Sequence, residues 1–189
     1  WSKTATGAGS GSINHTATGI TADASNNVYI TGANGASTLT IGSVVLANSN
    51  GGYVAKLDAS GNCQWANSMI GNAYGTGFTN NAGNVFVTGY FSGMTCSFGT
   101  VTVANTNTGG NNEDIFVSKY NSSGTLDWAT GAGGIYRDIP NGISVDMSGN
   151  ANVTGYTLNS ALSFGTLSVT CTGNYNDIFI AKMGTASGV

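Results

Sequence analysis

The chain repeats itself. Tyr53-Val-Ala-Lys56-Leu-Asp-Ala-Ser-Gly61 returns as Phe116-Val-Ser-Lys119-Tyr-Asn-Ser-Ser-Gly124 and again as Phe179-Ile-Ala-Lys182-Met183, with the three lysines spaced 63 residues apart. Trp65 and Trp128 follow the first two lysines by nine residues, and Trp1 opens the chain where a third tryptophan would fall just past Val189. A second block, Gly19-Ile-Thr-Ala-Asp23-Ala-Ser-Asn-Asn27-Val-Tyr-Ile-Thr31-Gly32, matches Gly142 to Gly155 and, one residue shorter in the turn, Gly77 to Gly89. A third runs Leu39 to Leu46, Cys96 to Val103 and Leu162 to Val169, each with a central glycine at Gly42, Gly99 or Gly165. A fixed period of this length marks one supersecondary unit that cannot bury its apolar side alone and must stack on its neighbours. The units divide as 1–64, 65–127 and 128–189.

Each block reads as β-structure. Val28-Tyr29-Ile30 and Val85-Phe86-Val87 are short β-branched and aromatic runs bounded by Asn and Gly. The Asp-x-Ser-x-Asn segments supply turns, because Asn and Gly tolerate positive φ. Gly42, Gly99 and Gly165 interrupt apolar stretches and predict hairpins or bulges. No segment carries an apolar stripe at helical spacing. In the lysine strand, Ile115 and Val117 point one way while Phe116 and Tyr120 point the other, so both faces need cover. The expectation is an all-β fold of three propeller-like antiparallel blades of about 63 residues, each with six short strands including its own hairpin.

Charged residues are 7% of the chain and the formal charge is −3. So few Lys and Arg argue against nucleic-acid binding, which needs cations to displace phosphate counterions, and against a polybasic membrane anchor. No apolar run approaches the ~18 residues of a membrane helix. The chain starts at Trp1 without a charged-then-apolar leader, which reads as a mature form or a piece of something longer. Cys63, Cys96 and Cys171 lack a C-x-x-C spacing and read as small apolar fillers, with one Cys96–Cys171 disulfide conceivable. Asn14, Asn121 and Asn152 begin N-x-S/T triplets, which a chain this rich in Asn and Thr forms by chance.

These residues resemble a bacterial β-propeller repeat family, often called SBBP repeats, found in large secreted and cell-surface proteins. Its pattern, Gly-Ile-x-Val-Asp-x-x-Gly-Asn-x-Tyr-Val-Thr-Gly followed by Asp-x-Phe-Val-x-Lys and a Gly before a Trp, falls on Gly142 to Gly155, Asp177 to Lys182 and Asp114 to Trp128. The middle copy departs at Asn81 and the first at Gly51. The resemblance implies secretion by a bacterium and carries no catalytic motif. Three units are fewer than the four or more blades that usually close a propeller. The Trp1 segment is therefore expected to complete a blade built on the Lys182 strand, in another chain or a larger ring, and not to fold back on its own first unit.

The candidate residues follow from the repeats. Asp23 and Asp146 are expected to cap their own turns; paired-carboxylate hydrolysis or calcium binding would need oxygens that these turns do not bring together. Lys56, Lys119 and Lys182 are expected to pack their stems and bond carbonyls or an acidic group in the next blade, with an anionic ligand in a central channel as the alternative. Trp65 and Trp128, with Tyr90 and Tyr156, are expected either to pack blades or to stack on sugars. His15 and the Arg137-Asp138 pair are placed in polar loops. The function expected is a non-enzymatic structural or adhesive segment of a bacterial cell-surface assembly, binding other copies or neighbouring repeats by strand exchange. A carbohydrate-binding module and an accessory domain of a secreted hydrolase are the alternatives, and no cofactor is expected.

Overall fold

The computed structural model describes residues 1–9, 15–47, 51–81, 83–107, 112–172 and 175–184, with the backbone alone at 77–81. Eighteen strands form among the described residues, and no helix. Strand β1 (Ala5–Ala8) comes first. The first repeat then supplies β2 (His15–Ala22), β3 (Val28–Asn34), β4 (Thr38–Ile41), β5 (Val44–Ala47), β6 (Gly51–Leu57) and β7 (Cys63–Ile70). The second supplies β8 (Ala73–Asn81), β9 (Asn84–Phe91), β10 (Thr95–Phe98), β11 (Val101–Ala104), β12 (Asp114–Tyr120) and β13 (Leu126–Gly133). The third supplies β14 (Asp138–Val145), β15 (Ala151–Thr157), β16 (Ala161–Phe164), β17 (Leu167–Thr170) and β18 (Asp177–Met183). The unit boundaries drawn at 64/65 and 127/128 fall inside β7 and β13.

Four antiparallel sheets result, none closed into a barrel. Two are six-stranded, in the orders β11-β10-β7-β6-β3-β2 and β17-β16-β13-β12-β9-β8; two are three-stranded, β1-β4-β5 and β14-β15-β18. The hairpin departs from the sequence expectation. β3 and β6 pair along their whole length, from Val28↔Leu57 to Asn34↔Gly51, so the β4–β5 hairpin that connects them cannot lie between them in the sheet. Each hairpin instead crosses to the outer strand of the preceding repeat: β10 pairs with β7 at Ser97↔Ile70, and β16 with β13 at Ala132↔Phe164. β1 takes the first hairpin in the same way, from Ala5↔Ile41 to Ala8↔Thr38. The Trp1 segment is thus paired with its own first repeat, contrary to the expectation that it would leave it.

The sheets stack face to face in series. Val54 and Met69 of one six-stranded sheet meet Val87, Phe91, Phe116 and Tyr120 of the next, while Ile115, Val117 and Phe86 meet Val153, Phe179 and Met183 of the last. Strand alternation thus sends Phe116 and Tyr120 to one interface and Ile115 and Val117 to the other. Leu39, Ile41 and Leu46 of the first sheet cover Tyr53 and Ala55. Each fully buried side chain of this kind contributes roughly 1.5–3 kcal/mol.

Two local devices recur with the period. The hairpins turn in two residues whose first is Gly42, Gly99 or Gly165, at φ of 62°, 64° and 58°, a left-handed position that favours glycine. The Thr-Gly pairs serve the inner edge. Thr31, Thr88 and Thr154 donate their hydroxyls to the carbonyls of Tyr53, Phe116 and Phe179 at 2.7, 3.0 and 2.9 Å. The glycines Gly32, Gly89 and Gly155 lie where a Cβ would run into the Thr16, Tyr74 or Ile139 carbonyl. Those carbonyls belong to inner strands that bulge between Ala17 and Gly19, Gly75 and Gly77, and Pro140 and Gly142. At the bulge, Thr18 donates to the Gly75 carbonyl and Thr76 to the Pro140 carbonyl, the latter at 2.8 Å, tying successive inner strands together.

Candidate functional site

The repeated side chains gather where one sheet meets the next. Trp65 lies with its ring on Gly124, 2.6 Å from where a Cβ would stand, and donates Nε1–H to the Ser122 carbonyl at 3.1 Å. Its ring sits between Tyr29 of its own sheet and Tyr120 of the next, with centroids 6.2 and 6.3 Å away. Trp1 repeats the arrangement one unit earlier, on Gly61 at 2.7 Å and with Nε1–H donated to the Ala59 carbonyl at 2.8 Å. Trp128 packs against the second interface, edge-on to Phe86, with Nε1 buried and unpartnered among the described residues. Trp1 and Trp65 therefore seat on the turn that follows a lysine strand, at Gly61 and Gly124. Trp65 is half-buried in this seat, whereas Trp1 remains exposed.

The lysines share a position and not a partner. Lys56 donates to the Ser122 carbonyl of the next repeat at 3.4 Å and lies 5.3 Å over the Tyr29 ring. Lys119 pairs with Asp127 at 2.9 Å and lies 5.8 Å over Phe86. Lys182 pairs with Asp146 at 2.7 Å. Both acidic partners stand in the lysine's own repeat sheet, where the sequence had placed them in the next.

The turn carboxylates are occupied by their own turns. Asp23 accepts the amides of Ser25 and Asn27 on Oδ1, each at 2.9 Å, and Asn27 Nδ2 and the Tyr29 hydroxyl on Oδ2 at 2.8 and 2.9 Å. Burial pushes this carboxyl up, but the bonds from Asn27, Tyr29 and Ser25 outweigh it and hold the pKa at about 2. Asp146 accepts Ser148 and Asn150 amides likewise, and the Lys182 ammonium with the Asn150 amide group holds it far below the usual carboxylate range. Asp58 does the same at the turn between β6 and β7, accepting the Ser60 and Asn62 amides at 2.9 and 2.8 Å, and Asn121 caps the equivalent turn through Ser123 and Thr125. The residue three places on is left-handed in all four: Asn26, Gly61, Gly124 and Gly149. The sequence reading overlooked Asp58, although Asp58-Ala-Ser-x-Asn62 repeats Asp23-Ala-Ser-x-Asn27. The side chain of Asn81, the middle counterpart of Asp23, lies outside the described residues.

A second carboxylate group was not foreseen at all. Asp114 and Asp138 are both buried at one end of the sheets. Asp138 accepts Asn159 Nδ2 at 2.9 and 3.0 Å and the Gly134 amide at 3.0 Å, and burial raises its pKa to about 6. Asp114 accepts the Thr106 amide and hydroxyl at 2.6 and 2.7 Å, its other oxygen is unpartnered among the described residues, and burial raises its pKa as well. Sequence periodicity could not flag Asp138, because Ala73 and His15 occupy the same place opposite Phe91 and Asn34. Both carboxyls hold loop residues in place through these bonds.

The remaining candidates also moved. His15 begins strand β2 instead of lying in a solvated loop, and its ring packs on Gly7 with both nitrogens buried and, among the described residues, unpartnered. Asn14 lies outside the described residues. Asp138 opens β14, and Arg137 reaches Glu113 at 3.2 Å. Cys63, Cys96 and Cys171 are free thiols, and burial pushes Cys96 up to about 12. Tyr90 stacks on Tyr74 across the strand pair, with centroids 5.2 Å apart at 22°, and Tyr74 is exposed. No group of three or more His, Cys, Asp or Glu with metal-binding geometry occurs among the described residues. Set against models of known families and against curated proteins, the chain matches none.

Proposed function

We propose that the chain is a non-enzymatic structural or adhesive segment of an extracellular bacterial assembly, its sheets serving as propeller-type blades. The observation that carries this reading is where the repeated polar and aromatic side chains are used. Asp23, Asp58 and Asp146 spend their oxygens on turns, and Trp1 and Trp65 join one repeat to the next. What recurs with the period is sheet joinery. Low charge and an abundance of Thr, Asn and Gly suit extended contact between copies more than steering of a charged ligand.

The test is binding to immobilised chain. Free chain should be captured in a concentration-dependent way and a glycan array should stay silent. A chain that neither captures itself nor sediments above monomer mass at high concentration overturns the reading. One observation favours the lectin alternative: Tyr74 and Tyr90 form a stacked pair at the surface, unlike the seated tryptophans. Glycan retention that disappears in Tyr74→Ala would establish it.

A further inference from the structure

Tyr74 and Tyr90 face each other directly across the β8–β9 pair. The same place holds Thr16 opposite Ala33 in the first repeat and Ile139 opposite Tyr156 in the third. Among the described residues, two phenols meet in this way only in the middle repeat, so the pair is no part of the recurring joinery. The rings stack with centroids 5.2 Å apart and planes 22° from parallel. Facing residues of antiparallel strands have Cβ atoms about 4.5–5.5 Å apart, which sets their two rings side by side. Tyr74 is exposed and Tyr90 half-buried.

The backbone holds this pair in place. Tyr74 precedes Gly75 and Thr76, through which β8 is tied on both sides: the Gly75 carbonyl accepts the Thr18 hydroxyl, and Thr76 donates to the Pro140 carbonyl. The other tyrosines are placed differently. Tyr29, Tyr53 and Tyr120 are buried, the first and last beside Trp65, and Tyr136 and Tyr175 are exposed in loops. Burial first, then the Tyr74 phenol and the Glu113 carboxylate, push the Tyr90 hydroxyl above the usual phenol range, with Arg137 acting the other way. Tyr90 is therefore a neutral phenol at physiological pH, with a hydrogen to give up.

We propose that Tyr74 and Tyr90 are a modification site, cross-linked within one chain to dityrosine by a one-electron oxidant such as a haem peroxidase with hydrogen peroxide. Tyr74, the exposed ring, meets the oxidant and loses one electron and its hydroxyl proton. It takes a hydrogen atom from the stacked Tyr90 and is then oxidised a second time, which leaves a phenoxyl radical on each ring. The radicals couple at the ring carbons ortho to oxygen, and the two displaced C–H protons return to the oxygens as the rings regain aromaticity. One C–C bond forms, two C–H bonds are lost, and hydrogen peroxide is reduced to two waters. Rings already in contact couple faster than rings that must find each other, so the link forms within the chain before it forms between chains. It joins β8 to β9 at the point where β8 is tied to β2 and β14. Like a disulfide, it restricts the unfolded chain. The inference goes beyond the blade reading and does not depend on it, since it concerns a single strand pair.

The experiment exposes the dilute full chain to a haem peroxidase with limiting hydrogen peroxide, then digests and maps the fraction of single-chain mass. That fraction should show dityrosine fluorescence, the loss of two hydrogens, and a linked peptide joining Tyr74 to Tyr90. Tyr74→Phe and Tyr90→Phe should each lower its dityrosine at least about tenfold with β-sheet circular dichroism retained, while Tyr136→Phe should leave it unchanged. The linked chain should unfold at a higher urea concentration than the unlinked one. Met94 and Met147 are exposed and go to sulfoxides under the same treatment, which reports that oxidant was delivered. Sulfoxides without a Tyr74–Tyr90 link, dityrosine confined to chains joined to one another, or a yield indifferent to both phenylalanine variants overturns the proposal. The peptide map of the unmodified chain decides it even where a variant fails to fold.

Discussion

Val117 and Ile180 occupy the same place in successive repeats and have nearly the same chemistry, yet one is 1% exposed and the other 77%. The strands that carry them differ little. β12 lies between β9 and β13 and is covered on both faces, by Val54 and Phe98 of the preceding sheet on one side and Val153 and Phe179 of the last sheet on the other. Among the described residues β18 has one strand neighbour, β15, with Phe179 and Ala181 buried and Ile178 and Ile180 exposed. In a stacked-sheet protein, burial belongs to the interface and not to the residue: the same apolar side chain is core in an internal repeat and surface in a terminal one. Stability is then a sum of repeat and interface terms, and the terminal repeats lack one interface each.

That contrast can be broken most directly by charge. Val117→Asp would bury an uncompensated carboxylate between two sheets, and we expect a loss of at least about 3 kcal/mol in denaturant unfolding. Ile180→Asp, measured at dilution where the chain is single, should stay within about 0.5 kcal/mol. Equal losses would mean that the end repeat is covered in solution by something within the same chain.

The carboxylates allow the same comparison through pH. Asp138 is buried and its pKa is raised from 3.8 to about 6, so the folded chain holds its proton where the unfolded chain has lost it. Its contribution is complete below about pH 4 and is lost as pH rises through 6, on the order of 2–3 kcal/mol. Asp23 works in the opposite direction. With its pKa lowered from 3.8 to about 2, it stabilises above pH 4 and that stability disappears as pH falls toward 2. A urea midpoint measured from pH 2 to 8 should therefore peak near pH 4–5. A plateau up to pH 8 would show that Asp138 is ionised in the fold.

Glycines sharpen the comparison of turns. Gly124 and Gly99 both have positive φ, 84° and 64°, but Trp65 presses on the first and nothing lies within 4 Å of a Cβ on the second. Alanine should cost about 1–2 kcal/mol at either for the left-handed backbone. Gly124→Ala should cost more and shift tryptophan fluorescence, since the ring must leave its seat. The smallest effect concerns the lysines. Lys119→Met and Lys56→Met should each change stability by less than about 1 kcal/mol. Of these two, the Lys119 effect should shrink in high salt, because Lys119 pairs with Asp127 whereas Lys56 donates to a carbonyl.

Much of the local structure was legible in the chain itself, and particular residues show why. The period announced six strands per repeat; Gly42, Gly99 and Gly165 announced the hairpins; Asp23 and Asp146 announced capped turns. In each case the determining interaction lies within a few residues, as with Asp23 and the amides of Ser25 and Asn27. The Thr-Gly pairs were visible as a motif but not as a mechanism, because the carbonyl that excludes a Cβ at Gly89 comes from Tyr74 on another strand. Asp138 was missed because its partner Asn159 is distant in sequence and neither recurs with the period.

The sequence by itself thus determined the repeat, the strands and the turns, which depend on neighbours within one unit. Only the tertiary structure decided which sheet each hairpin joins, which acid each lysine meets and which copies of a repeated isoleucine are bare. The physical reason is that β3 and β6 satisfy each other's backbone bonds completely, leaving the hairpin between them to find an edge elsewhere. Where it goes depends on which edge lies open nearby, and that is a property of the stacked sheets that no single repeat encodes.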